Sequence, residues 1–515
     1  MQFSSRGQGK EDKPAAGWLT VMVEGVADLV QSTLSETAMG LVVVMFFTLS
    51  IFTTYLGADP DLFARLAVGK LIFASHEVTS IDPFAFTPKK TLWIDHEWLS
   101  GVVFYLVSTI HFAQILFGLK VLLAFLTIYI FLKAQSHLRG TNYPQFTWSL
   151  ITTIPCAYIW MSTIRSQVFT YLFLAILLLS FVLYEKLQSK RVLLTVPLMM
   201  LFWSNAHGGF VVGLGLLGLF VITCAISKVA DWRLPGLILA LSSIAVLINP
   251  YPGFSYLTYI VEAVTMPRPN IDEWSPINPI SADALWLNVI VLLIFIGALL
   301  DRQVIKLNSI LMLLVTMFFA YRHNRLQALF FVTAAVYGEP YFSIAVNRFA
   351  LLRPKFFKML GRMFAIFILF ATIAVYPRIV IFLLNYSKFK LDLSAFPVQA
   401  CDFLAAEANL KPPLNNMPYR VLTEFNSGSY VLWRLFPNFQ ISVDGRYEEL
   451  YPESTVELNN RALNGNGVEQ QQALESINPD YILTTVPDYL SKISGFANSW
   501  KIVHQQSPFA LIGKK

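Results

Sequence analysis

The apolar runs of this sequence recur too often for a soluble core. They begin near residue 39 and return as far as residue 384, separated by short polar linkers. A bilayer core asks for roughly 20 apolar residues per helix, somewhat fewer where a helix is buried among others. Applied along the chain, that requirement places spans near 39 to 56, 119 to 134, 148 to 164, 167 to 184, 192 to 204, 210 to 227, 234 to 248, 284 to 300, 306 to 320, 326 to 342 and 363 to 384, about eleven in all. Composition agrees, with 55% of residues hydrophobic and only 14% charged.

Basic residues set the orientation. Counting the apolar stretch 98 to 117 as a further span would throw the basic linkers onto opposite sides, so it is read as a helix lying at the interface. With the N-terminus cytoplasmic, the cytoplasmic linkers then carry Lys133 and Arg139, Lys186, Lys190 and Arg191, Lys228 and Arg233, Arg302 and Lys306, and the group from Arg348 to Arg362. The net charge of +6 is thereby explained as topology signals, with no stripe suited to nucleic acid.

The fold expected is mainly α, a polytopic membrane protein with a small C-terminal α/β domain. Residues 1 to 38 form a cytoplasmic tail in which 17 to 34 is either a short amphipathic helix or a plain linker. Residues 39 to 385 form the membrane domain, including an outer loop from 57 to 118. From 386 to 515 the composition turns soluble, and an odd number of spans puts this part on the non-cytoplasmic side. Strand-like runs at 419 to 425, 439 to 446, 480 to 486 and 500 to 505 alternate there with helix-like pieces such as SGSYVLWRLF and STVELNNRAL. Three scattered cysteines give neither a disulfide framework nor zinc spacing. The polar N-terminus lacks the pattern of a cleaved signal peptide.

The chemistry-bearing residues gather at the outer ends of the spans. The loop from Asp59 to Glu97 presents Asp59, Asp61, Glu77, Asp82, Asp95, His96 and Glu97. Carboxylates at a bilayer face can take a proton from an acceptor hydroxyl or hold a divalent cation beside a phosphate. Asp59 also has a structural use, as cap of a helix beginning at Pro60, and Asp82 has one before Pro83. His96 and Glu97 are candidates for substrate binding, with a metal role left open. Arg165, Arg322 and Arg325 suit phosphate, because a guanidinium fork binds two oxygens, or else they snorkel or pair with the loop acids. Asn205 and His207 in WSNAHGGF, Glu273, and Arg378 inside the last span complete the set. In VDGRYEELY, Arg446 and Tyr447 are read first as fold-stabilising and second as glycan contacts. No GxxxxGK[ST], HExxH or GxSxG sequence is present, which argues against a soluble ATPase, a zinc protease and an α/β-hydrolase.

The ordered series DPDLFARLAVGKLI, DPFAFT, DHEWL, IRSQVF, NAHGGF, NPYPG, EWSP and VDGRYEELY resembles a largely uncharacterised bacterial subfamily of GT-C integral membrane glycosyltransferases. That resemblance implies a sugar taken from a polyprenyl-phosphate carrier on the non-cytoplasmic face, with a glycan, lipid or protein as acceptor. It implies Asp61 or Asp59 as catalytic base, outer arginines on the carrier phosphate, and a bacterial inner membrane location with the C-terminal domain periplasmic. Two departures stand out. Phe63, Ala64 and Arg65 replace the aromatic and histidine residues that often follow the DPD triplet, and the acidic pair of protein O-mannosyltransferases is missing. The rival reading is a non-catalytic GT-C-like subunit that binds or moves a lipid carrier or assembles a larger membrane complex.

Overall fold

The computed structural model describes residues 36–54, 56–138, 145–159, 163–228, 230–266, 271–487, 489 and 499–515. The amphipathic segment considered for 17 to 34, and Arg139, lie outside the described residues.

Every expected span overlaps a helix. In chain order these are α1 (Glu36–Thr54), α4 (Phe112–Leu138), α5 (Gln145–Ile159), α6 (Gln167–Leu187), α7 (Val196–Ala206), α8 (Phe210–Ser227), α9 (Arg233–Ala245), α11 (Leu285–Leu300), α12 (Leu307–Arg322), the pair α13 (Gln327–Tyr337) and α14 (Glu339–Leu352), and α15 (Pro354–Leu384), with α10 (Ser255–Thr265) in the connection between α9 and α11. Length and apolarity together single out fewer. Among the described residues four helices are long and apolar enough to cross a bilayer, or five if α13 and α14, bent by 60°, act as one. Helices as short as α7, with 11 residues, fall below that test.

The expected interfacial helix at 98 to 117 is divided. The helix α3 (Trp98–Ser108) ends at Ser108, and 112 to 117 form the first turns of α4. α3 lies against α2 (Pro60–Ser75) through glycines: a Cβ on Gly69 would sit 2.1 Å from the Gly101 carbonyl oxygen, so the backbones touch.

Contacts between helix ends define two poles. At one, Glu185 accepts from Asn308 at 2.9 Å and the Tyr184 hydroxyl donates to the Asp231 carbonyl at 2.7 Å. At the other, Trp98 donates to Asn205 at 2.8 Å and Tyr251 to the Asp95 carbonyl at 2.8 Å. The outer loop and the C-terminal part of the chain share this second pole.

That part holds a five-stranded sheet: β1 (Tyr419–Thr423), β2 (Phe439–Ile441), β3 (Tyr481–Thr484), β4 (Trp500–Gln506) and β5 (Phe509–Lys514), in the order β2-β1-β3-β5-β4. The first three neighbours are parallel, and β5 and β4 add on antiparallel. Strand β5 and the helices Val398–Leu410 and Gly467–Ile477 were not anticipated. The edge of β2 is not open. The outer loop runs beside it, with Ala85 bridged to Ile441, Phe86 donating its N–H to the Ile441 carbonyl at 3.1 Å and Thr87 bonded to the Ser442 carbonyl at 2.5 Å.

Candidate functional site

Asp59 leaves α1 in an extended conformation and caps α2, accepting from the Asp61 N–H at 3.0 Å, with Pro60 in the first turn. The strand-like step before it is pinned from beyond the last long helix, since the Asp392 backbone N–H donates to the Leu56 carbonyl at 2.8 Å. The capping reading of Asp59 is therefore present, and it accompanies an ion pair. Arg165 Nε donates to Asp59 Oδ2 at 2.5 Å and Nη1 to Glu273 Oε1 at 2.7 Å, while Asp61 Oδ2 lies 4.0 Å away. The side chain of Asp59 is 5% exposed and that of Asp61 44%.

These two carboxyls differ in what they can do. Asp61 keeps water access, yet the protein around it strips away bulk hydration. That loss first, and the neighbouring Asp59 second, push it up to about 7 against the pull of Arg165. Burial raises Asp59 as well, with the Arg165 charge and hydrogen bond opposing it. Arg165 is held well above its ordinary value by Asp59, Asp61 and Glu273, which outweigh its own burial.

The second acidic patch is organised by a residue that the sequence did not single out as a site. Arg65, 5% exposed, meets Asp95 through Nη1, Glu97 through Nε at 3.0 Å and Glu449 through Nη2 at 2.8 Å. His96 Nδ1 lies 3.0 Å from Glu449 Oε1, which raises the imidazole pKa despite burial. His207 lies on the far side of Glu97, its Nε2 3.4 Å from Glu97 Oε1. Its Nδ1 accepts from the Gly209 N–H at 2.9 Å, so Nε2 carries the proton. Burial drives this histidine down to about 3, and it stays neutral.

The divalent cation considered from sequence does not fit these residues. Asp95, Glu97 and Glu449 face a guanidinium, Asp59 faces another, and among the described residues no group of three or more His, Cys, Asp or Glu side chains is arranged to hold a metal. Asn205 is used structurally. It accepts from Trp98, and its amide donates to the Leu201 and Ile248 carbonyls at 2.8 and 3.0 Å.

Arg322 and Arg325 are different. Among the described residues neither has a carboxylate within ion-pair distance; Arg325 lies over the Trp274 ring at 5.0 Å. Arg322 lines a recess of about 400 Å³ with Trp274, Ser275, His323, Tyr447, Tyr451 and Glu453 among its walls. Glu273 is the chain neighbour of Trp274 in the wall of this recess, and Gly445, where an added Cβ would meet Asp61, lies two residues before Tyr447.

Of the VDGRYEELY pair, only Tyr447 reaches the recess. Arg446 is 1% exposed, bonded to Asp82 Oδ1 at 2.5 Å and Asp444 Oδ2 at 2.8 Å and packed over Phe84 and Trp93, so a glycan contact is replaced by a clamp between loop and sheet. Arg378 lies exposed on α15, apart from the cluster.

No family model matches the sequence, and no curated protein does. Solved structures do match in fold. The oligosaccharyltransferase of Archaeoglobus fulgidus in its apo form aligns with a TM-score of 0.59 at 11% identity, over 88% of this chain and 71% of that one. The same organism's AglB, in complex with an inhibitory peptide and a dolichol-phosphate, aligns with a TM-score of 0.56 at 13% identity, over 87% and 69%. ArnT from Cupriavidus metallidurans, bound to undecaprenyl phosphate, aligns with a TM-score of 0.50 at 14% identity, over 97% and 98%. Across nearly its whole length, then, the chain is similar to membrane glycosyltransferases of the GT-C class and has their fold.

Proposed function

We propose that the protein is a membrane glycosyltransferase that moves a sugar from a polyprenyl-phosphate carrier to an acceptor hydroxyl, with Asp61 as general base. The observation that carries the reading is the contrast within the first acidic pair. Asp59 is committed to its cap and to Arg165, whereas the Asp61 side chain is 44% exposed, with its carboxyl raised to about 7. A base of that strength is half deprotonated near neutral pH.

In this mechanism the acceptor oxygen forms a bond to the anomeric carbon as its proton passes to Asp61. The bond between that carbon and the phosphate oxygen breaks, and the electron pair leaves with the polyprenyl phosphate. Arg322 and Arg325, which meet no carboxylate at ion-pair distance among the described residues, receive the departing charge. Arg165 positions Asp59 and Glu273 instead of binding phosphate. His207, Asn205, His96 and Glu97 support the wall of the site. Two solved structures of this fold carry a polyprenyl-type phosphate, which supports a lipid-linked donor here.

The topology that suits this reading has eleven crossings, a cytoplasmic N-terminus, and the sheet of residues 386 to 515 on the outer, periplasmic face of a bacterial inner membrane. Every helix end that contributes a site residue then opens to one side.

The test is transfer by the purified protein from polyprenyl-phosphate sugars to glycan, lipid and peptide acceptors, with Asp61→Asn beside it. Loss of transfer with carrier binding intact supports the assignment. Full turnover by Asp61→Asn and Asp59→Asn together sinks it. The rival, a non-catalytic carrier-binding subunit, draws on the internal neutralisation of so many acids by Arg65 and Arg165. It requires stable carrier binding, fixed membrane partners and no transfer to any acceptor.

A further inference from the structure

The second acidic patch draws its carboxylates from distant parts of the chain, Asp95 and Glu97 from the outer loop and Glu449 from the C-terminal unit. Carboxylates brought together out of water repel one another unless a cation lies among them. Oxygen-rich clusters of this kind commonly recruit a divalent metal, which needs its ligands within about 2.0–2.6 Å of one point. Here the space between the carboxylates is filled from within. Arg65 projects from the second turn of α2, and each of its three guanidinium nitrogens meets a different carboxylate. A planar fork of fixed charge suits the task, since it cannot deprotonate and spreads its donors over three directions.

We propose that Arg65 is the resident counter-cation of this patch, standing where a divalent ion would otherwise sit, and that the protein takes up no such ion there while Arg65 is present.

Two further observations fit. The imidazole of His96 also lies against the patch, its Nδ1 3.0 Å from Glu449 Oε1. In addition, Asp95 Oδ2 and Glu449 Oε2 are buried without hydrogen-bond partners. These are the oxygens an incoming cation would use once the guanidinium is gone. The proposal concerns the ion content of the site and stands apart from the transfer reaction.

It is tested on the full-length protein in detergent, by thermal unfolding with EDTA and with millimolar MnCl2, MgCl2 or CaCl2. The wild-type midpoint is expected to be unmoved by any of them. Arg65→Gln is expected to unfold at lower temperature and to regain several degrees with Mn²⁺ or Ca²⁺, a gain that Arg65→Gln combined with Asp95→Asn and Glu97→Gln does not show. A folded Arg65→Gln that ignores all three cations overturns the proposal. If that variant does not fold, Mn²⁺ binding to the wild type, read by the paramagnetic resonance of the free ion, decides. No uptake supports the proposal, and stoichiometric uptake that Asp95→Asn or Glu97→Gln abolishes overturns it.

Discussion

The backbone of Gly445 lies so close to the Asp61 carboxyl that a Cβ at residue 445 would approach Asp61 Oδ1 to 2.9 Å. The obstruction falls on the tip of a side chain, so the fold can relieve it cheaply, by moving the candidate base. Gly445→Ala is therefore expected to insert and fold normally while transfer falls on the order of 10²-fold, the scale of a misplaced catalytic group. Circular dichroism and thermal unfolding check the fold and the transfer rate checks the chemistry. An unchanged rate would mean that the carboxyl position is not set from the sheet.

The pH dependence of transfer follows from Asp61. A base must be deprotonated to act, and this one is held near 7, so kcat/KM is expected to fall as the pH drops below about 7, approaching about tenfold per unit. Stability runs the other way. The folded state keeps this proton longer than the unfolded chain, whose carboxyl titrates near its ordinary value of 3.8, so the contribution of Asp61 to stability declines as pH rises through about 7. Asp61→Asn is expected to abolish the rate profile and flatten that part of the stability profile.

Arg322 and Arg165 are expected to separate by phenotype. Removing one charge-assisted contact to a phosphate costs about 1.5–3 kcal/mol, or roughly ten- to a hundredfold in affinity. Arg322→Ala should weaken polyprenyl phosphate binding by that factor with its melting midpoint unchanged. Arg165→Ala should lower the midpoint, because it strips the partner from buried Asp59. Equilibrium binding of undecaprenyl phosphate, together with thermal unfolding, distinguishes them.

Arg446→Met leaves Asp82 and Asp444 facing each other out of water, both with side chains 0% exposed. Breaking such a pair costs about 3–5 kcal/mol. The expected result is a protein whose outer loop and C-terminal sheet become protease-sensitive while the helical part stays resistant, read by limited proteolysis.

Hydropathy made the helices legible, because lipid imposes the same requirement on every span. It also located Asp59, Asp61, Arg165, His207 and Glu273 at one pole, since alternation of short helices puts odd-numbered ends together. What it left hidden were partnerships. Arg65 meets Glu449 across 384 residues, and no local pattern announces that the arginine after DPDLFA will be buried. Arg446 was read as fold-stabilising first, and its ion pairs agree, but its partner Asp82 was read as a loop carboxylate and a cap, with no cation assigned to it. β5 escaped notice because six residues carry little periodicity of their own; its place beside β3 is decided by tertiary pairing.

The loop strand beside β2 has a consequence for biosynthesis. Residues 82 to 87 leave the ribosome early, but the backbone groups they bond to, at Ile441 and Ser442, are made more than 350 positions later. Helix insertion can proceed one element at a time. The loop, however, must wait unpaired through the synthesis of all the remaining spans. A ribosome stalled before residue 440 would hold an inserted chain with no site. Assembly of this centre is thus a late event in translation.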